Sequence, residues 1–290
     1  MQMKLKRIAG AALALAMALP AAQAATDLNT SEGQLEAYVR LRADLGGKEV
    51  FADWNATIFA VLPGEKPRPI LKTYGYNVSR MEKQPDGGYH WISREVSYYR
   101  DIKTGKLLDS WTNPITGETV EVVHVANDPV NHKFPSPKKV PFSLPWQQHG
   151  EMTSMLLDMP LEYPNPLQPD AYPKQSTGKV YLASEHFGYM VRTADLLNEK
   201  LDSAPVYYNW FRTGPWLPWM NMGGKQGYLI YSGVGSKLSG WDALPADVRE
   251  YTLKNFPLFR HAPSEYVTPN MTSWIYYRKL QEAKAAAAKK

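Results

Sequence analysis

The sequence predicts a mainly β, α+β chain: a curled antiparallel sheet or barrel around an internal cavity, with a helix at each end. Three observations predict it. Short runs rich in aromatic and β-branched residues recur from Val50 onward, glycine- and proline-bearing turns separate them, and helical periodicity is concentrated towards the two ends of the chain. The strand candidates number about nine, and barrels of about eight strands or more can enclose a small ligand.

The first 24 residues read as an address. Lys4, Lys6 and Arg7 precede an apolar run from Ile8 to Leu19, and Ala22-Gln23-Ala24 supplies an A-x-A cleavage signal before Ala25. The run is shorter than the roughly 20 residues that a bilayer-spanning helix needs, so residues 1–24 are expected to be a signal peptide and the mature chain to be periplasmic or secreted, without a membrane span. Residues 25–290 are expected to form a single β-rich domain, with 282–290 a loose helical tail.

Ser31 and Gln34 have the spacing of a capping box, and Leu35, Tyr38, Val39, Arg42 and Leu45 fall on one helical stripe ending at Gly46-Gly47. Strand patterns then occupy Asp53 to Leu62, Lys72 to Met81, Tyr89 to Asp101, Lys106 to Asn113 and Glu118 to Asn127. Asp86-Gly87-Gly88, Lys103-Thr104-Gly105 and Asn113 to Gly117 form the turns between them. Pro129 to Pro173 holds ten of the 23 prolines, which reads as a long ordered wrap with room for one strand or short helix at His149 to Met159. Strands resume at Lys179 to Arg192, Val206 to Thr213 and Tyr228 to Ser232. Helices follow at Asp247 to Phe256 and from Thr272 to the end.

Composition narrows the chemistry. The chain has no cysteine, which removes thiol catalysis, iron–sulfur clusters and cysteine-type zinc sites. Its net charge of +5 includes Lys4, Lys6 and Arg7, and without the leader 30 basic residues face 28 acidic ones. No basic stripe suggests nucleic acid. There is no G-x-S-x-G elbow, dinucleotide fingerprint, Walker loop or H-E-x-x-H, so neither a cofactor nor a metal is expected.

Polar residues that could act on a ligand fall in four places. His124, Asn127, Asp128, Asn131 and His132 cluster where the meander ends: the histidines could serve as acid and base with Asp128 orienting one ring, or the Asn-Asp-Pro could simply make a turn. On Tyr89 to Asp101, alternation puts Ile92, Arg94, Val96, Tyr98 and Arg100 on one face and Trp91, Ser93, Glu95, Ser97 and Tyr99 on the other. Both faces are mixed, so one should line a polar cavity or lie under a further layer, with Arg80, Arg94, Glu95 and Tyr98 as candidates for the lining. Glu185 shares a face with Tyr181, Ala183, Phe187 and Tyr189, whereas His186 points the other way. Arg212, Trp216 and Trp219 lie in a proline-stiffened loop that could offer a stacking platform or plug the core.

Three strings carry a family likeness. They are Arg94-Glu-Val-Ser-Tyr-Tyr-Arg-Asp-Ile-Lys-Thr-Gly, the run from Trp111-Thr-Asn-Pro-Ile-Thr-Gly through His124-Val-Ala-Asn-Asp-Pro-Val-Asn131, and Gly214-Pro-Trp-Leu-Pro-Trp-Met. In these the chain resembles the domain of unknown function 1838 family over most of its mature length. The resemblance implies an exported single-domain protein and carries no catalytic residues with it. The residues themselves suggest a cofactor-independent enzyme doing acid–base chemistry on a hydrophobic or aromatic small molecule, as a lyase, isomerase or hydrolase. His124, Asp128, His132, Arg94 and Glu95 would be catalytic, and Arg80, Tyr98, Asn127, Asn131, Glu185, Arg212, Trp216 and Trp219 would bind ligand. The alternative is a non-catalytic periplasmic binding protein for a similar ligand.

Overall fold

The computed structural model describes residues 26–289, so the leader expected at residues 1–24 lies outside the described residues. The chain begins with α1 (Ser31–Arg42) and continues through β1 (Val50–Val61), β2 (Arg68–Lys83), β3 (Tyr89–Asp101), β4 (Ser110–Thr112), β5 (Thr119–Glu121), β6 (Val125–Asn127), β7 (His132–Phe134), β8 (Trp146–His149), β9 (Met152–Pro164) and β10 (Val180–Arg192). After the short α2 (Thr193–Leu196) come β11 (Tyr207–Gly214), β12 (Tyr228–Leu238), α3 (Ala246–Asn255) and α4 (Ser273–Ala287). Ten strands make one antiparallel sheet in the order β6-β3-β2-β1-β12-β11-β10-β9-β8, with β7 also pairing β3, while β4 and β5 form a separate hairpin.

The expected barrel is therefore corrected to an open sheet: β6 and β8 end the strand path and do not pair with each other. The sheet is nevertheless tightly rolled. Five strand spacings separate β3 from β10, roughly 24 Å on a flat sheet. Yet the guanidinium carbon of Arg42 in α1 lies 4.5 Å from the ring centre of Trp91 on β3 and 5.1 Å from that of Tyr189 on β10. At the other end of the seam, Ser273 at the start of α4 receives a 3.3 Å hydrogen bond from Asn127 of β6, and Trp274 packs edge-on against Tyr181 of β10 at 4.6 Å. Side chains of two helices thus join edges that no backbone ladder joins.

Register fixes which residues face inward. Pairings such as Asn77↔Glu95, Trp54↔Gly75, Trp54↔Gly235, Tyr208↔Gly235 and Glu185↔Arg212 carry one face continuously round the roll. Along the strands this face is buried, then half-buried, then buried again. One end is a core of Ile58, Leu71, Tyr99, Tyr181, Trp219, Tyr231 and Trp274, and the other is a core of Leu35, Tyr38, Met81, Trp91, Met155 and Tyr189. Between them Ala52, Trp54, Asn77, Glu95, Leu157, Met159, Glu185, Phe187 and Trp210 are half-buried, so this middle belt, the hollow of the roll, is less completely covered than either core.

The opposite face of β2 and β3 is the covered one. Tyr76, Val78, Val96 and Tyr98 pack beneath Leu244, Val248 and Phe259, and the hydroxyls of Tyr76 and Tyr98 lie 3.4 and 2.7 Å from Thr252 Oγ1 of α3. Of the alternatives drawn from the mixed faces of β3, the further layer is found over this face.

Several boundaries differ from expectation for local reasons. Thr30, not Ser31, caps α1, accepting from Gly33 N at 3.1 Å. Ser31 and Gln34 instead accept the backbone N–H groups of Phe142 and Leu144, pinning the proline-rich stretch to the helix. That stretch contributes β7, β8 and β9. Pro160 and Pro164 are tolerated because β8 pairs only with Met152–Met155, leaving the rest of that side of β9 a free edge. β12 runs six residues past Ser232 because Gly233 and Gly235 are strand residues: a Cβ at Gly235 would lie 2.4 Å from the Tyr208 ring.

Two predictions follow from these contacts. Trp274 is 3% exposed, and Trp274→Ala should cost about 3–5 kcal/mol in urea unfolding. His124 is buried with its pKa lowered to about 4 by desolvation and, secondarily, by Arg100. The unfolded chain then binds a proton that the native state excludes, so native stability should fall as pH drops from about 6.5 to 4, by up to about 3 kcal/mol. In His124→Asn this part of the pH dependence should disappear, as read from thermal midpoints in that window.

Candidate functional site

The half-buried belt of the inner face is the candidate site, and strand register explains its composition. Trp54 on β1 lies over Gly75 of β2, where any Cβ would meet the indole at about 2.4 Å, and reaches across to donate a 3.2 Å hydrogen bond to Ser97 Oγ on β3. Its ring centre lies 6.1 Å from that of Trp210 on β11. These two indoles, with Phe187, Leu157 and Met159, supply flat apolar wall.

Polar groups enter from both flanks of the roll. On β3, Glu95 accepts a 2.7 Å hydrogen bond from Asn127 Nδ2 of β6 and forms no ion pair among the described residues. Desolvation pushes its carboxyl up to about 7, with Asn127 pulling the other way and Glu185 adding to the rise. Opposite Glu95 on β2, Asn77 Oδ1 is buried without a hydrogen-bond partner. On the facing flank Arg212 Nε donates to Glu185 Oε1 at 3.0 Å, its other arm donates to the Tyr181 hydroxyl, and its guanidinium lies 4.9 Å from the Tyr231 ring centre. Burial opposes the charge of Arg212, but the surrounding tyrosines and Glu185 outweigh it and raise its pKa.

Of the residues singled out in the sequence, the fold gathers Glu95, Asn127, Glu185 and Arg212 on this belt. It separates the others. His124 is 6% exposed, its Nδ1 accepts the Tyr99 backbone N–H at 3.1 Å, and the rings of Tyr98, Tyr99 and Tyr251 surround it. Asp128 pairs with Arg94 at 3.2 Å on the covered side, where Arg94 also donates to the Leu258 carbonyl. Asp128 therefore orients neither histidine. His132 is exposed on β7 beside Phe134, its pKa lowered by desolvation and by Arg42.

The expected cavity lining of Arg80, Arg94 and Tyr98 is corrected by the same alternation that places Glu95 inward. Arg80 donates to the carbonyls of Pro263 and Ser264 and pairs with Glu82 at 2.8 Å, holding the segment before α4, and Tyr98 is covered by α3. Asn131 is a strap: its Oδ1 accepts Ser93 N–H, while its own N–H and amide donate to Asn270 Oδ1 and the Val267 carbonyl. Trp216 and Trp219, 1% and 4% exposed, are core rather than a stacking platform. Trp216 donates to the Lys225 carbonyl, and Trp219 packs edge-on against Trp111. A surface trough of about 910 Å³ beside them exposes Leu182, Thr213, Pro215 and Tyr228.

Sequence reading missed Arg42, Trp54, Asn77 and Trp210. Arg42 had a signal, a cation on the apolar stripe of its helix. The outer face holds one further polar chain, Ser184 Oγ at 3.0 Å from His186 Nε2 and His186 Nδ1 at 2.7 Å from Asp158. It has the connectivity of a serine triad, but the N–H groups of β10 around it belong to the ladders with β9 and β11, and Asp158 is exposed. No backbone amide pair is free there to stabilise an oxyanion.

Glu95 offers a test independent of any substrate. Its native pKa lies above the ordinary 4.5, so the native state holds the proton more tightly and loses stability as pH rises from about 4.5 to 7. Glu95→Gln should thus stabilise the protein at pH 8 by about 1–3 kcal/mol and change little at pH 4. An equal effect at both pH values would show a carboxyl with an ordinary pKa.

None of the curated proteins matches the chain. A family model described as protein of unknown function (DUF1838) matches residues 47–281, which include all twelve strands and exclude α1. The chain belongs to the DUF1838 family.

Proposed function

We propose that the protein is an exported, cofactor-independent enzyme that carries out acid–base chemistry on a hydrophobic or aromatic small molecule in the hollow, with Glu95 as the proton-transfer group. One observation carries the reading: a half-buried glutamate without an ion-pair partner among the described residues, its pKa pushed up to about 7 by desolvation, beside two indoles. A group with that pKa can both give and take a proton at neutral pH, whereas an ordinary glutamate is a weak acid donor because it is already ionised. Asn127 holds one oxygen of Glu95. Arg212, its charge answered by Glu185, holds the opposite flank of the hollow in place.

The earlier assignment of proton transfer to His124, Asp128 and His132 gives way to Glu95 because those three groups do not converge. A carrier is the second reading, favoured by the apolar wall of Leu157, Met159, Phe187 and Trp210. Extracts of small molecules incubated with the protein and followed by mass spectrometry separate the two. Consumption of a compound by the wild type, lowered at least about 100-fold in Glu95→Gln, supports the enzyme. Retention of a bound compound without consumption supports the carrier. Export rests on the leader, and amino-terminal sequencing of the protein from cells should begin at Ala25.

A further inference from the structure

The inner end of the hollow holds a cation without a counter-ion. Arg42, on the last turn of α1, lies against the rings of Trp91 at 4.5 Å, Tyr189 at 5.1 Å, and Tyr38 and Phe187 at 6.0 Å. Among the described residues it forms no ion pair, in contrast to Arg212, whose charge Glu185 answers. The nearby Lys237 cannot serve the same purpose, because its Nζ already donates to the Arg40 and Ala43 carbonyls and to Ser203 Oγ at 2.7, 3.0 and 2.9 Å. Aromatic faces offset part of the cost of removing a guanidinium from water, and the Tyr189 hydroxyl accepts from it, but no carboxylate answers its charge. Arg42 is half-buried on the inner face.

The spacing sets a length. Arg42 packs on Trp91, and Glu95 lies four residues along the same strand and the same face, roughly 13 Å away. Trp54, Trp210 and Phe187 occupy the interval. The charge also selects: Arg212 is answered by Glu185 whereas Arg42 has no ion-pair partner among the described residues, which suits a negatively charged group on the ligand. The planar fork of a guanidinium matches the two oxygens of a carboxylate.

We propose that the hollow binds a monocarboxylate with a flat or extended apolar body about 10 Å long, its carboxylate held by Arg42 and its far end at Glu95. This rests on the hollow being the functional site and names the ligand class for it. Arg42 is then the group that fixes the direction in which the ligand enters.

The test compares each acid with its neutral amide. Quenching of tryptophan fluorescence is titrated with 2-naphthoate and 2-naphthamide, and with dodecanoate and dodecanamide, against wild type, Arg42→Met, Arg42→Lys and Glu95→Gln. Wild type should bind at least one acid tenfold or more tighter than its amide. Arg42→Met should erase that ratio while still binding the amides, and Arg42→Lys should keep part of it. Wild-type protein that binds no acid more tightly than its amide overturns the proposal even if the variants fail to fold. So does an acid-to-amide ratio that survives Arg42→Met. Loss of turnover in Glu95→Gln reports on proton transfer separately: a ratio intact with turnover unaffected would refute that role of Glu95 and leave the carboxylate clamp standing.

Discussion

The roll of the sheet is held by side chains where a barrel would use backbone hydrogen bonds. Arg42, gripped between Trp91 of β3 and Tyr189 of β10, closes one end of the seam, and Trp274 with Ser273 closes the other. Each joint is made by a helix that lies at one end of the chain, so the two termini of the domain are the clasps on a sheet whose own strands leave it open. Everything at the site follows from that curvature. Only because the flanks face each other do Glu95 and Asn127 on one side share a space with Glu185 and Arg212 on the other.

Within the roll, side-chain size decides where there is room. The inner face is filled at both ends by large aromatic and aliphatic residues, whereas the middle carries Ala52, Gly75, Gly233 and Gly235. Gly75 gives its space to the Trp54 indole, which therefore lies along the wall instead of projecting across the hollow. The polar groups that remain there are held by hydrogen bonds to neighbouring strands, so they are set by the sheet rather than by loops, which favours fixed geometry.

Much of this was legible in the sequence, and the illegible part has a common cause. Alternation along β3 and β10 sorted inward from outward residues correctly, and Tyr89 to Asp101 was delimited to the residue. Glu95 and Glu185 could be recognised as carboxylates among aromatics. What a single strand pattern cannot give is which strand faces which. Arg94 and Tyr98 looked like partners of Glu95 although they point away from it. His124, Asp128 and His132 looked like a cluster because they are close in sequence, but the chain turns between them and distributes them to a core, an outer ion pair and an exposed edge. Gly233 and Gly235 read as a strand end because the close approach of Tyr208 that requires one of them comes from a residue more than twenty positions away. Arg42 was visible on its helix stripe, but its meaning depended on rings from β3 and β10 that only the roll brings to it.

The seam without a backbone ladder has a kinetic side. A closed barrel admits a ligand only through its ends or by parting paired strands, each with several hydrogen bonds to lose. Here the rims are joined through helix side chains, so lifting of α1 or α4 would widen the opening while every ladder in the sheet stays intact, at the cost of the hydrogen bonds that Arg40 and Lys237 make at α1 and Asn127 makes at α4. Such partial opening draws on only part of the total unfolding free energy, and for the proposed ligand it would separate the rate of exchange from the rate of unfolding.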